Sequence, residues 1–453
     1  MNKTKTVNKP KFQRQEHQVS LASKILNVLK KLVRTPSFWI VSIIFLFEIF
    51  LRFYQIDQKN PFGWDQVDNA WAAKNIIVNH WYPLVGMVAK GNSNIYIGPV
   101  YYYMISVFYW IFNLNPIASG IFAGLTSIFT FWVIYYVSKK MFSTEVALIA
   151  VFINTFIFPA IIFDRVQWPV NFIPSISFLI FYVLYKITQG DVKKIIVLAL
   201  LVGFSFSVHF TSIFFPIIII LSLPLFPRTK ETLKYILLGI PLFLIWLVPN
   251  IVYQLQQKSS DSSFTFYFHT YYHGFHLIRL LQLTGDALIQ FNAYSFWDKI
   301  TPLKIFALPI FFLLYLYKSL NRKKLVFSYL ILLWFVIPWF VFTTFSGEIS
   351  DYYFSVNRFI TLIIVAYLFA RVWMIKNFIP KIVVAIVLVY IGATNFLNYL
   401  PYKDTGLAVR EQTAIQAVGG KRIEFQVGVP ESYLYWYYMW TLKGVDVYAP
   451  KHK

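Results

Sequence analysis

IGPVYYYMISVFYWIFN, residues 97–113, is the stretch on which the topology turns. It is apolar and rich in tyrosine, and it reads either as a helix across a bilayer or as one lying in the interface, where aromatic rings are favoured. Charges elsewhere make the choice. Basic connections recur at Ser138–Lys140, Lys186–Lys194, Arg228–Lys234, Lys318–Lys324 and Arg371–Lys381, and the residues before Phe38 are basic too. If 97–113 lies in the interface, all of these face the cytoplasm together, as the positive-inside rule requires. If it spans, every connection from Ser138 onward falls outside. The interfacial reading is therefore expected.

The rest of the chain is that of a membrane protein. Hydrophobic residues make up 58% and charged residues 13% of 453, with mean hydropathy +0.58, where a soluble domain carries about 25% charged residues. Apolar runs near the length that crosses a bilayer of about 30 Å recur at 37–54, 116–137, 145–163, 172–186, 194–209, 211–227, 235–253, 302–318, 325–345, 356–374 and 381–398. The expected fold is an all-α polytopic membrane protein of about eleven transmembrane helices, with interfacial helices in the first outer loop. Residues 1–36 form a basic cytoplasmic N-terminus, 37–398 the transmembrane domain, and 55–115 and 254–301 its large outer loops. For 399–453 the pattern predicts a small extracytoplasmic α/β segment, with strands at 422–429 and 445–449.

The net charge of +22 serves orientation and contact with anionic lipid, and no nucleic-acid partner is expected. The chain has no cysteine, which excludes disulfides and thiolate chemistry. No small-residue cleavage site follows the first apolar run, so that run is expected to remain as a span. The span interiors carry almost no charge apart from Glu48 and Arg52, an i,i+4 pair. A proton-coupled transporter needs several ionisable groups at mid-membrane depth. Here the carboxylates gather on the outer face.

Among them, PFGWDQVDNAWAAKN (61–75) places Asp65 and Asp68 at the start of a helical pattern. One reading makes Asp65 an N-cap and Asp68 the acidic N3 residue. The other makes Asp65 a general base at the outer surface. The two are compatible. In IIFDRVQWPVNFIP (161–174), Asp164 and Arg165 read either as an anchoring ion pair or as a site where the guanidinium grips phosphate. His209 sits at a tight outer turn, as a structural histidine or a site residue. His269, His273 and His276 lie near Arg279 at helical spacing, which suits a metal site or a loop resting on lipid. Glu348, Asp351, Tyr353 and Arg358 line the expected outer mouth of two late spans, and Arg358 is the second phosphate candidate.

WDQVDNAWAAKNIIVNHWYPLVG followed by YIGPVYYYMISVFYWIF resembles the first outer loop of the protein O-mannosyltransferase-like branch of the GT-C glycosyltransferases. That branch includes the bacterial lipid A aminoarabinose transferases. By this resemblance Asp65 falls on the family's catalytic Asp, Ala70 and Ala73 on its helix, Pro83 and Gly86 on its Pro-Leu-x-Gly segment, and Pro99 and Tyr102 on its aromatic helix. Three positions depart from the pattern. Gln66 stands for the Glu of an Asp-Glu pair, Gly98 for a frequent Lys, and Asn171 for a second functional Asp. The likeness covers residues 40–230 and returns faintly at 352–358.

The resemblance implies an inverting membrane glycosyltransferase using a polyprenyl phosphate-sugar donor on the extracytoplasmic face, with Asp65 as base. Gln66, Asp68, Asp164 and Asn171 would line the acceptor side, and Arg165, Arg358 and His209 the donor phosphate. The partners implied are that donor, an acceptor that is protein, lipid or glycan, and the bilayer. No cofactor is required, and a divalent metal at His269 and His273 stays open. The expected location is a prokaryotic inner membrane. A lipid-linked glycan flippase, or an oligosaccharide ligase or polymerase, is the alternative.

Overall fold

Polar caps and apolar lengths set the helices. Ser143 accepts from Val146 N, Thr229 from Thr232 N, Asn321 from Lys324 N and Asn377 from Ile379 N, so four helices begin with one orphan amide satisfied by a side chain. The structure, a computed structural model, describes residues 33–88, 95–256, 269–272, 274–283, 301–317, 320–347, 349–404, 406–420 and 425–448. It divides into two compact units, 1–43 and 44–453. In the smaller unit the Trp39 indole donates to Val33 O at 2.9 Å. The side-chain contacts described below all lie within the larger unit, which holds α1 from Ile44 onward.

The first helices are α1 (Pro36–Phe53), α2 (Trp64–Val78), α3 (Val100–Ile111), α4 (Ile117–Met141), α5 (Thr144–Phe156) and α6 (Phe158–Arg165). Next come α7 (Ile173–Thr188), α8 (Lys194–Phe206), α9 (Phe214–Ser222), α10 (Lys230–Leu244) and α11 (Val248–Gln256). The last are α12 (Thr301–Tyr317), α13 (Arg322–Thr343), α14 (Arg358–Trp373), α15 (Phe378–Tyr399), α16 (Gly406–Gly419) and α17 (Pro430–Lys443).

Among the described residues, 6 helices are long and apolar enough to cross a membrane, and 8 if each of two bent pairs counts as one span. The other three predicted spans coincide with shorter apolar helices at Lys194–Phe206, Phe210–Leu225 and Phe306–Tyr317. The protein is an integral membrane protein. The 12 residues of α3 reach about 18 Å at helical rise, well short of a bilayer core of about 30 Å.

The run 145–163, expected as one span, is bent by 71° between α5 and α6. Pro159 has no N–H to give Thr155 O, and Phe158 N turns instead to Asn395 Oδ1 at 3.0 Å. The carbonyls of Asn154 and Thr155 therefore lose their helical partners. Arg52 supplies them: Nη1 donates to Thr155 O at 3.1 Å and Nη2 to Asn154 O at 3.2 Å. The same guanidinium meets Ser127 Oγ at 3.0 Å, Glu48 Oε1 at 3.3 Å and Asp164 Oδ2 at 2.9 Å. Arg358 holds the other oxygen of Asp164 at 2.8 Å and Asn154 Oδ1 at 3.0 Å. One buried polar network thus ties α1, α4, both halves of the broken helix and α14. Leu51, Phe156, Ile161 and Tyr399 pack beside it.

Elsewhere interhelical contacts follow membrane rules, with small residues for close approach and polar side chains as glue. A Cβ at Gly124 would stand 2.5 Å from the Phe53 ring. Trp334 Nε1 donates to Ser177 Oγ at 2.7 Å, and Ser177 passes its proton to Val356 O at 2.6 Å.

The described parts of the two strands expected in the C-terminal region are coil and turn. Residues 425–429 and 445–448 form no strand, only an isolated bridge from Val427 to Val429; residues 421–424 and 449 lie outside the described residues. The two segments meet through Tyr448 OH and Phe425 O at 2.6 Å, a side-chain contact that leaves no backbone ladder. This region rests on the first outer loop. Tyr433 OH donates to Leu114 O at 2.8 Å and Leu407 N to Asn60 O at 3.0 Å.

Removing Arg52 strands two carbonyls, leaves Glu48 without its cation and takes one of two cations from Asp164. Arg52→Ala is expected to destabilise the protein by about 3–5 kcal/mol, and Ser127→Ala, which deletes one hydroxyl, by about 1 kcal/mol. Melting temperatures in detergent measure both. Similar small shifts for the two variants would contradict the network.

Candidate active site

Helix α2 does not begin as expected. Its N-cap is Gly63, and Gln66 Oε1 accepts the Gly63 N–H at 2.7 Å, so Asp65 is released from capping and lies within the first turn. Its carboxyl is half-buried, and among the described residues it has no hydrogen-bond partner. Burial, and then the charge of Asp68, push its pKa above the usual aspartate value. Asp68, one turn on, is committed: it accepts Tyr102 OH at 2.5 Å. Tyr101, its neighbour on α3, is within the field of Asp65 and accepts from Gln167 Nε2 at 2.6 Å.

Two of the departures from the family pattern have a common cause. Gln66 Nε2 donates to Gln167 O at 2.7 Å while its Oε1 takes the Gly63 amide. Asn171 Nδ2 donates to Val166 O at 2.5 Å while its Oδ1 accepts from the Trp168 indole. Each site needs one donor and one acceptor, which an amide has and a carboxylate lacks. Gly98 is sterically fixed, because a Cβ there would stand 2.4 Å from Ser207 Oγ. Gly86 packs against it, with a hypothetical Cβ 2.5 Å from Gly98 O.

The expected phosphate ligands are largely committed to the protein itself. Arg165 donates to Lys59 O at 3.0 and 3.2 Å, to Leu51 O at 3.2 Å and to Arg52 O at 2.7 Å. It binds backbone, gathering the end of α1 and the loop after it. Lys59 in turn donates to Tyr399 O at 3.2 Å and Leu400 O at 2.7 Å, closing the C-terminus of α15. Arg358 and Asp164 are joined in the buried network. His209 caps a short helical turn, accepting from Thr211 N at 3.3 Å, and burial pushes its pKa down to about 4. It is neutral at physiological pH.

A chain of rings leads away from this turn: Trp168 meets Tyr352 at 4.9 Å, and His209 meets Tyr352 at 5.7 Å and Tyr353 at 6.0 Å. Tyr353 stacks on Phe342 at 5.8 Å, beside a cleft of about 500 Å³ lined by His276, Arg279, Thr343, Thr344, Phe345 and Ser346. Arg279 spends Nε on Phe342 O at 3.5 Å and Nη2 on Gly347 O at 3.1 Å. Sequence reading noted Arg279 only beside the histidines. The cleft depends on a fold-back of this loop onto the end of α13, which no local pattern announces. His269 is exposed, His273 and Glu348 lie outside the described residues, as does the side chain of Asp351, and among the described residues no three of His, Asp and Glu converge as metal ligands.

Residues 97–253 match the family model of the dolichyl-phosphate-mannose-protein mannosyltransferases. The match begins after Asp65, so the first-loop carboxylates stand on geometry. No curated protein sequence matches. Among solved structures, the ArnT of Cupriavidus metallidurans bound to undecaprenyl phosphate is 13% identical, with TM-score 0.52 over 88% of this chain and 76% of that one. The oligosaccharyltransferase of Archaeoglobus fulgidus in its apo form is 11% identical, with TM-score 0.50 over 84% of this chain. This chain spans 58% of the archaeal protein's length. At such identities the likeness is one of fold, that of a helical membrane protein. The chain is thus similar to that mannosyltransferase family in sequence over residues 97–253, and to these two membrane proteins in fold.

Because Arg165 holds carbonyls, Arg165→Ala is expected to lower the melting temperature, costing about 3 kcal/mol or more. The KM for a lipid donor should stay within roughly twofold in the folded fraction. A stable variant with strongly raised KM would return Arg165 to the phosphate.

Proposed function

We propose that this protein is an inverting glycosyltransferase that moves a sugar from a polyprenyl phosphate-linked donor to an acceptor hydroxyl or amine on the extracytoplasmic face of a prokaryotic membrane. The observation that carries the reading is Asp65, a half-buried carboxyl with raised pKa and no hydrogen-bond partner among the described residues, at the start of a helix beside the paired Asp68 and Tyr102. A structural carboxylate in such a place would be capped or ion-paired.

In the reaction Asp65 takes the acceptor proton as the acceptor atom forms its bond to the anomeric carbon. The bond from that carbon to the phosphate oxygen breaks, and its electron pair leaves with the polyprenyl phosphate. The described structure favours Arg279 for the departing phosphate, ahead of Arg165 and Arg358, because its guanidinium keeps Nη1 uncommitted among the described residues and lines a cleft. A guanidinium there stabilises charge that grows in the transition state. His276 lines the same cleft. A greasy donor reaches such a cleft from the bilayer, and no nucleotide-binding loop is needed.

The flippase alternative gains nothing from the bent helices. Transporters use broken helices to coordinate cargo, but the carbonyls freed here are filled by Arg52 of the same chain.

Purified protein incubated with a panel of polyprenyl phosphate-sugars should release free polyprenyl phosphate. Asp65→Asn should lower this rate by roughly 10²–10⁴-fold without loss of stability, since it removes a carboxyl whose charged form the fold disfavours. Near-native turnover by that variant overturns the mechanism. Activity needs the deprotonated base, so it should fall as pH drops through the raised Asp65 pKa, placing the acid limb of kcat/KM above the ordinary aspartate value of 3.8. A limb at or below that value contradicts the assignment. Arg279→Ala should raise the donor KM by roughly tenfold, and an unchanged KM would remove it from the donor site.

A further inference from the structure

The C-terminal segment 430–448 clasps the helix that carries Asp65, on the side away from Asp65. Asp65 and Lys74 are nine positions apart on α2, a rotation of about 180° at 100° per residue, so what touches Lys74 backs the helix. Lys74 is 1% exposed. Its ammonium lies 3.4 Å from Asp446 Oδ2 and 5.4 Å from the centre of the Trp436 ring. The other oxygen of Asp446 accepts from Trp436 Nε1 at 2.8 Å and from Tyr448 N at 3.3 Å. Trp71, one turn before Lys74, is enclosed by Tyr433 at 5.4 Å, Trp436 at 5.7 Å and Tyr448 at 5.5 Å. Its indole donates to Ser432 Oγ at 3.1 Å.

These contacts converge on one carboxylate. Asp446 joins the only cation on α2 to the indole of α17 and to the backbone after α17. A buried lysine is costly unless paired, so the ion pair is a specific registration of tail against helix. Burial of Trp71 among three rings adds the packing.

We propose that Lys74 and Asp446 are positioning residues: through their ion pair the C-terminal segment braces α2 and fixes where Asp65 meets the acceptor. The inference rests on the reading of Asp65 as base. Displacing a reacting group by about 1 Å can cost roughly 10²-fold, so a brace of this kind acts on kcat and leaves the donor's own binding contacts unchanged.

The test uses the full-length chain and three variants, Lys74→Met, Asp446→Asn and the double variant. Lys74→Met leaves Asp446 at a partly solvated position and is the safer for folding; Asp446→Asn leaves a buried cation unpaired. Each single change should lower kcat by roughly tenfold or more, per folded molecule, with the donor KM unchanged. The double variant should be no worse than the poorer single, because the pair acts as a unit. The chain has no cysteine, so Trp64→Cys, next to Asp65 and at a position 66% exposed, takes a single nitroxide label. That label should be immobile in the parent and more mobile in the variants. Unchanged label mobility overturns the brace, as does an unchanged kcat per folded molecule in the variants of an active parent. A parent inert toward every lipid-linked sugar sinks the glycosyltransferase reading instead, and the label then decides by itself whether the tail holds α2.

Discussion

The fold hinges on one guanidinium. Pro159 breaks a membrane helix and leaves the carbonyls of Asn154 and Thr155 without partners, in a solvent that cannot supply any. Arg52 fills both and still reaches Asp164, Ser127 and Glu48. The bend of 71° then turns α6 across the bundle, so that Arg165 grips the end of α1 and the following loop, and the turn 166–172 comes up beside α2 and α3. Charge inside the membrane is tolerated because two cations and two carboxylates close on each other. The result is architecture rather than catalysis.

Above that network the outer layer is built by amides and aromatics. Gln66 and Gln167 link α2 to the turn, Gln167 continues to Tyr101 on α3, and Asn171 seals the turn. The side-chain amides of Gln66 and Asn171 each donate and accept at once. Among the described residues, the Asp65 carboxyl and Nη1 of Arg279 take no hydrogen bond, and Arg279 lines a cleft. The functional reading rests on these two groups.

Much of this was legible in the sequence, for physical reasons. Periodic apolar runs and basic connections located the helices, and charge alternation made 97–113 an expected interfacial segment, within which α3 is 12 residues long. The resemblance led to the first loop and to Asp65. Other features were not legible. Pro159 marked a break, but only the tertiary partner Asn395 decides whether a proline kinks a span or is absorbed by it. Arg165 and Arg358 looked like phosphate ligands because guanidinium groups suit phosphate, carboxylate and backbone carbonyl alike, and the choice depends on partners 100 or more residues away. Of the strands expected after residue 420, the described parts pair with no partner strand, and Tyr448 meets Phe425 O only through its hydroxyl.

The central claim is that α2 presents Asp65 on the outer face of the membrane. In a chain without cysteine, a single Trp64→Cys reacts with a membrane-impermeant maleimide only from the side it faces. The account predicts labelling in intact cells or right-side-out vesicles without permeabilisation. Labelling that requires opening the membrane would put Asp65 on the cytoplasmic side and contradict it.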